Sequence, residues 1–265
     1  MKVVIAGAGG RMGRSLIEGA LKDPALTLAA AFDVQASGVV GREAGELVGA
    51  KSTVKIGADA KAAIGAGECL IDFTRPEATL AHLDLCLAAG TRMVIGTTGF
   101  AAEQRQRIAD AAKRIAIVMA PNFAIGVNVT FKLAEVAATA LGEGFDVEII
   151  EAHHRHKVDA PSGTALRLGE IVAAATTRSL GEVAVYGREG ITGERDRRAI
   201  GFHSIRGGDI VGEHTVMFSG EGERVEVTVR SQSRMTYALG ALRSCRFLEG
   251  RAAGLYDMQD VLGLR

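Results

Sequence analysis

Three histidines and a lysine stand within five positions, at His153, His154, His156 and Lys157, in the stretch EAHHRHKVDAPSGTAL that runs from Glu151 to Leu166. Imidazoles titrate near neutral pH and also ligate metals, so three chemistries compete: a metal site, a proton-transfer site, or a solvated basic loop. The spacing does not favour a metal. Helical zinc sites place histidines at i and i+4 beside a carboxylate, no HExxH occurs here, and adjacent His153 and His154 diverge if the chain is extended. The residues after the cluster argue against a merely solvated loop. Pro161, Ser162, Gly163 and Thr164 read as a helix start, with Ser162 as the cap and the first turn offering N–H groups that have no intrahelical acceptor. Such a start attracts anions. A carboxylate held there would lie near Lys157 and the imidazoles. Reduction of a charged C=C or C=N compound needs that arrangement: the anion is anchored, a hydride arrives from a cofactor, and a histidine or lysine supplies the proton.

A hydride donor needs its own cradle, and the chain opens with one. Val3-Val-Ile-Ala is followed by Gly7, Ala8, Gly9, Gly10, Arg11, Met12 and Gly13, between an apolar strand and a helical stretch from about Arg11 to Leu21. Glycines allow a tight turn and close approach to a pyrophosphate, and the helix start adds a positive dipole end. The last glycine falls one residue later than in GxGxxG, so the pattern reads GxxGxxG through Gly7, Gly10 and Gly13. Asp33 follows Gly13 by twenty residues at the end of a second apolar strand, where a carboxylate would accept from ribose hydroxyls. It would repel a 2′-phosphate, and Val34 rather than arginine comes next, so NADH is expected over NADPH. Gly96-Thr97-Thr98-Gly99 and Ala120-Pro121-Asn122-Phe123 come after later strands and read as the far wall of a nicotinamide site.

These residues require particular elements. Over 2–120, short all-apolar strands alternate with helices, the pattern of a parallel sheet covered on both faces. The expected fold is α/β, with a Rossmann-type doubly wound parallel sheet over residues 1–125 for the dinucleotide. A second α+β domain with a mixed or antiparallel sheet is expected over 126–236 for the substrate and for oligomerisation. There, 128–141 reads as a helix, 145–152, 215–218 and 224–230 as strands, and 163–177 as a helix, while 187–208 reads as a long loop. The final helix, 237–248 within the segment 237–265, is expected to return to the first domain. Residues 124–128, with Gly126, read as a hinge.

The composition limits the partners. Apolar residues make up 48% of 265, and 31 basic residues balance 31 acidic ones. No basic field exists to bind nucleic acid, and no run reaches the ~18 unbroken apolar residues of a membrane span, so a small molecule is the expected partner. Cys69, Cys86 and Cys245 have no metal or pairing pattern and read as buried reduced thiols, which fits a cytoplasmic protein.

The histidine stretch, with GAGGRMG at 7–13, DFT at 72–74, GTTG at 96–99, APNFAIGVN at 120–128 and FHSIRGGDIVGEHTVMF at 202–218, resembles the dihydrodipicolinate reductase (4-hydroxy-tetrahydrodipicolinate reductase) family along the whole chain. The resemblance implies an NAD(P)H-dependent oxidoreductase of the diaminopimelate route to lysine, without metal and assembled as a homotetramer. It implies that Gly7, Ala8, Gly9, Gly10, Arg11 and Met12 hold the pyrophosphate and Asp33 the ribose. Gly96, Thr97, Thr98, Ala120, Pro121, Asn122 and Phe123 would lie near the nicotinamide. His153 would be the general acid and Lys157 a second donor that also pairs with a carboxylate. His154, Gly163 and Thr164 would bind the substrate's carboxylates, beside Ser162. Val34 departs from members that carry arginine there and use NADPH.

Overall fold

The computed structural model describes residues 1–265. The chain begins with β1 (Lys2–Ala6), whose Val3, Val4 and Ile5 are fully buried, as an apolar strand covered on both faces must be. Then come α1 (Arg11–Lys22), β2 (Thr27–Phe32), the short β3 (Ile56–Gly57), α2 (Ala60–Gly65), β4 (Cys69–Asp72), α3 (Pro76–Ala89), β5 (Arg92–Ile95), α4 (Ala102–Ala111) and β6 (Ala116–Met119). Pro76 opens α3 in its first turn, and Gly90 ends it in the left-handed conformation at φ +69°. After α5 (Ile125–Leu141) the chain runs through β7 (Asp146–His153), α6 (Gly163–Ala175), the one-turn α7 (Leu180–Val183), β8 (Ala184–Tyr186), β9 (Ile200–Arg206), β10 (Gly212–Ser219) and β11 (Arg224–Ser231). It ends with α8 (Met235–Leu248), β12 (Gly254–Tyr256) and α9 (Met258–Leu262).

Two compact units result: Met1–Ile125 with Arg234–Arg265, and Gly126–Ser233. The first holds a seven-stranded, wholly parallel sheet in the order β12-β6-β5-β4-β1-β2-β3. The order reverses at β1, and the strand ends on either side of that point bear the glycine turn and the loops after β4 and β5. Two apolar layers flank the sheet, one under α1 and α8 and the other under α3 and α4. Helix α8 lies on α1 so closely that a Cβ on Gly19 would stand 2.6 Å from Leu242 Cδ1. A Cβ on Gly240 would stand 1.8 Å from the Phe123 carbonyl oxygen.

The second unit holds a mixed sheet, β11-β10-β7-β9-β8, antiparallel through β10 and parallel through β9. Register sorts its residues by face. Val147, Ile149 and Glu151 on β7 lie beside Phe218, Val216 and His214 on β10, and with His153 beside Ile200, Phe202, Ser204 and Arg206 on β9. Helix α6 covers this face, with Gly169 against the Phe202 ring. The opposite face carries Glu148, Ile150, Met217, Thr215, His203 and Ile205.

The expected doubly wound sheet and second mixed sheet are both present. Two local expectations change, and one strand was not anticipated. Residues 187–208 are not all loop: Ile200–Arg206 is an inner strand, hidden in the sequence by a glycine, a histidine, a serine and an arginine among its inward Ile200 and Phe202. The helix expected from 128 begins at Ile125, so most of the suggested hinge is helical. Strand β12 completes the first sheet with only three residues, too few to show a period. The segment Ile125–Gly144 is long and apolar enough to cross a membrane by length and composition alone. It buries Val127, Phe131, Ala134 and Ala138 along one face and carries an exposed Lys132–Glu135 ion pair, which is the pattern of an amphipathic helix on a core.

The glycine approaches predict a stability pattern. Alanine at an exposed helical glycine normally stabilises by roughly 0.5–1 kcal/mol. At Gly13 the new Cβ would meet the Gly7 carbonyl oxygen at 2.1 Å, and at Gly240 it would meet backbone at 1.8 Å, whereas nothing lies within 4 Å at Gly65. Gly13→Ala and Gly240→Ala should each lose about 1–3 kcal/mol or more in thermal or urea unfolding, while Gly65→Ala should be neutral or stabilising. Equal behaviour of all three would contradict the packing described.

Candidate active site

The turn after β1 is shaped by steric limits. Gly7 has φ +66°, and a Cβ there would touch Thr74 Cγ2 at 3.0 Å. Gly13, one residue later than the usual spacing, brings α1 onto the Gly7 and Ala8 backbone. Gly9 donates its N–H to Asp33 Oδ2 at 2.7 Å, and Val34 donates to Asp33 Oδ1 at the same distance. The carboxylate thus lies beside the glycine turn, as the sequence spacing predicts. Ala8 is buried, Met12 half-buried and Arg11 exposed. Arg14 is turned back, donating from Nε to the Gly9 carbonyl at 3.1 Å. The bare backbone at Gly7, Gly9 and Gly10 fits a bound pyrophosphate, since a side chain at any of the three would meet another atom at 3.0–3.2 Å.

The loops after β4, β5 and β6 join this turn through hydroxyls and rings. Asp72, fully buried at the end of β4, accepts from Thr74 N–H and Oγ1 at 2.8 and 2.6 Å, and pairs with His82 Nδ1 at 2.7 Å. Thr79 Oγ1 lies 2.8 Å from Thr97 Oγ1 and 3.4 Å from Thr74 Oγ1, so a hydroxyl chain runs from the β4 loop to the β5 loop. Gly96 packs on Phe73, where any Cβ would penetrate the ring, and Phe73 meets Phe123 at 5.4 Å between centroids. Thr98 and Pro121 are exposed, while Ala120 and Phe123 are core residues. Asn122 closes its own turn by accepting from Ala124 N–H at 2.9 Å. The sequence pattern did not single out Asp72, Thr79 or His82 as site residues, although DFT marked the first.

In the second unit, β7 delivers His153 and the loop after it delivers His154 and Lys157. Strand period places Glu151 on the same face as His153. Its carboxylate Oε2 lies 2.6 Å from His153 Nδ1, which donates to it, leaving Nε2 directed at the open position of Gly212, where a Cβ would stand 3.1 Å away. Arg206 of β9 grips both Glu151 oxygens at 2.8 Å. Burial raises the Glu151 carboxyl, but bonds from Arg206, Ser204 and His153 outweigh it, and its pKa falls to about 2. For His153, burial, with the Lys157 and Arg206 charges, lowers the pKa against the raising effect of Glu151, and the net direction is down.

The loop returns through a cis Ala160–Pro161 bond to Ser162, whose Oγ caps α6 by accepting from Ala165 N–H at 3.2 Å. The same Oγ lies 2.9 Å from His214 Nε2. Which of the two donates depends on the His214 tautomer, and His214 Nδ1 is buried with no hydrogen-bond partner. Burial, helped by His153, holds the His214 pKa near 4. Gly163 is exposed at the helix start, with Thr164 next. His154 is half-buried and its Nδ1 is a buried polar atom with no hydrogen-bond partner. Lys157 pairs with both oxygens of Asp159 at 2.8 Å. No group of three or more His, Cys, Asp or Glu is assembled that could hold a metal. All three cysteines are free and buried.

The sequence pattern brought out His153, His154, Lys157 and Ser162 but missed Glu151, Arg206 and His214. Glu151 was readable, two residues from His153 in an alternating strand. Arg206 and His214 come from other strands; the stretch FHSIRGGDIVGEHTVMF contains both, but nothing in it assigns either to the site.

Comparison with known proteins identifies the family. Residues 1–123 match the family model of the dihydrodipicolinate reductase N-terminus and 126–262 that of the C-terminus. A 4-hydroxy-tetrahydrodipicolinate reductase of Dechloromonas aromatica is 62% identical over 264 residues, covering 100% of this chain and 98% of the relative. One of Aromatoleum aromaticum is 60% identical, covering 100% and 96%. A dipicolinate-bound dihydrodipicolinate reductase from Paenisporosarcina sp. TG-14 superposes with a TM-score of 0.78 at 28% identity, covering 98% of both chains. With both halves matched and relatives this similar along its whole length, the chain belongs to the dihydrodipicolinate reductase family, oxidoreductases that use a nicotinamide cofactor.

Proposed function

We propose that the chain reduces 4-hydroxy-tetrahydrodipicolinate to tetrahydrodipicolinate, with loss of water, in the diaminopimelate route to lysine. The observation that carries this reading is the Glu151–His153 pair with Nε2 open, set in one loop with Lys157 and the start of α6. Loss of the C4 hydroxyl as water leaves a conjugated imine, and a bound NADH or NADPH supplies a hydride at C4. The chain's residues do the rest. His154, Ser162, Gly163 and Thr164 hold the ring carboxylates at the helix start, and Lys157 exchanges Asp159 for one of them. His153, with Nδ1–H tied to Glu151, carries a proton on Nε2 toward the ring as negative charge develops. Lys157 is the second donor.

In the first unit, Gly7, Ala8, Gly9, Gly10, Arg11 and Met12 receive the pyrophosphate, and Asp33 receives the ribose hydroxyls. Gly96, Thr97, Thr98, Ala120, Pro121 and Asn122 border the nicotinamide. Phe123, buried with its ring on Phe73, supports that border from below. NADH is the preferred cofactor: Asp33 puts a negative charge where a 2′-phosphate would lie, and Val34, 69% exposed, offers no cation to receive it. The second sheet's face away from α6 carries Ile150, Met217 and Ile205, the last 52% exposed. That face is where copies assemble into a homotetramer. Three free buried thiols suit a reducing cytoplasm.

The decisive test is absorbance at 340 nm with NADH or NADPH and substrate generated from aspartate semialdehyde and pyruvate by the preceding synthase. Substrate-dependent oxidation is expected, with higher kcat/KM for NADH, and Val34→Arg should raise kcat/KM for NADPH. No oxidation by a folded protein that binds NADH would remove the substrate assignment. His153→Ala should lower kcat by roughly 10²–10⁴-fold with little change in KM. Lys157→Ala should lower kcat and also raise KM by about 10- to 100-fold, as loss of a charged hydrogen bond does. Unchanged kcat in both variants would end the proton-donor roles. Sedimentation equilibrium should give a mass near four times the 27.7 kDa chain, and a monomer mass would end the tetramer reading.

A further inference from the structure

Three segments of the second unit meet on one buried carboxylate. The Glu151 side chain has no exposure. Its Oε2 accepts from His153 Nδ1 at 2.6 Å and from Arg206 Nη1 at 2.8 Å, and its Oε1 accepts from Arg206 Nη2 at 2.8 Å and from Ser162 N–H at 3.2 Å. Arg206 also donates from Nη2 to the Asp159 carbonyl at 2.7 Å and from Nη1 to the Ile205 carbonyl at 2.7 Å, so the guanidinium cannot drift from its place.

A carboxylate on Nδ1 has two effects on an imidazole. It fixes the tautomer and aim of the ring, and it stabilises the protonated form. The first suits an acid that must present Nε2. The second opposes it, because a strongly held proton is given up slowly. Arg206 separates the two effects. A guanidinium on both oxygens cancels most of the carboxylate's charge while leaving its hydrogen bond to His153 in place.

The other groups around His153 do not restore that charge. Lys157, on the next loop, is cationic and shares both oxygens of Asp159. His214, on β10, stands 5.1 Å away edge to face and is kept neutral by burial. Gly212 contributes only backbone opposite Nε2. Ser162 brings the positive end of α6 to the same carboxylate. Apart from Glu151, every group facing His153 directly is neutral or cationic.

We propose that Glu151 and Arg206 form a positioning pair, in which Glu151 fixes the Nδ1–H tautomer of His153 and Arg206 cancels the carboxylate charge so that the imidazolium can release its proton. The inference rests on the reading of His153 as the acid, and its test separates the two. The pair also joins β7, β9 and the cap of α6, so loss of rate alone would not distinguish positioning from structural support. The sign of the change in proton affinity does.

The experiment is a titration of the His153 Cε1–Hε1 NMR signal in the full-length protein, without cofactor or substrate, with the signal assigned by His153→Asn. In Arg206→Met the carboxylate regains its charge, and the His153 midpoint should rise by about one unit or more. Arg206→Lys keeps the cation and should stay within a few tenths of the native midpoint. In Glu151→Gln the carboxylate charge is gone while Arg206 remains, and the midpoint should fall. Melting temperature and NADH affinity are measured alongside. The inference is overturned if Arg206→Met leaves the midpoint unchanged or lowers it in a folded protein, or if Arg206→Met and Glu151→Gln shift it in the same direction. Should Glu151→Gln not fold, the contrast between methionine and lysine at 206 decides alone. The kcat/KM profile is then recorded for each variant. If its basic limb follows the NMR midpoints, both statements hold. If the midpoints move as stated and the limb does not, the pair still governs His153, and the acid assignment falls instead.

Discussion

The second unit is organised around the need to satisfy one charge. A carboxylate with no solvent contact is costly unless it is paired and fully hydrogen-bonded. Glu151 meets that demand with a bidentate arginine from β9, an imidazole from its own strand and a backbone N–H from the cap of α6. Each partner is thereby fixed in turn. The arginine sets how the end of β9 lies against β7, the N–H sets where α6 begins, and the imidazole is aimed. A hydrophobic residue in place of Glu151 could fill the same volume but could not align three segments at once. The neighbouring Ser162–His214 contact depends on this alignment, because Ser162 is held from one side by its N–H and from the other by its hydroxyl.

The first unit reaches precision by a different route. Its glycine turn and the Gly96 and Gly240 contacts are determined by what cannot fit, with backbone or aromatic atoms 1.8–2.1 Å from an added Cβ at Gly96, Gly240 and Gly13. Negative charge enters at Asp33 and at the buried Asp72, whose bonds run outward through Thr74, Thr79 and Thr97 to the loop beside the expected nicotinamide. A steric site tolerates changes of pH that an electrostatic one would not. The division suits the two jobs proposed, since binding a dinucleotide should not depend on pH while delivering a proton must.

Much of this was legible in the sequence because it is local. Val3–Ala6, the glycines after it and Asp33 fall within one β-α-β stretch, and His153 to Thr164 fall within one loop and one helix start. Gly13 shows how far such local signals reach: its late position looked like a departure from the usual spacing, yet it does the work of the close-packing glycine against Gly7 and Ala8. What the sequence concealed is non-local. Strand β9 is masked by polar and glycine residues because its inward positions turn from apolar Ile200 and Phe202 to Ser204 and Arg206, which serve the carboxylate instead of the core. Its polarity marks its function, and for the same reason it does not read as a strand. His214 and Arg206 lie more than fifty residues from Glu151, and only the register of β7 with β10 and β9 brings them together.

The return of residues 234–265 to the first unit has a consequence for how the protein is made. During synthesis the N-terminal strands leave the ribosome first, but β12, the partner of the β6 edge, and α8, the cover of α1, come last. Until then the nascent first unit carries an open strand edge and an uncovered helix face built around Gly19. The intervening unit, Gly126–Ser233, has its whole sheet within one continuous segment and can complete itself in the meantime. The second unit can thus be completed while the first, whose strands begin the chain, still waits for α8 and β12.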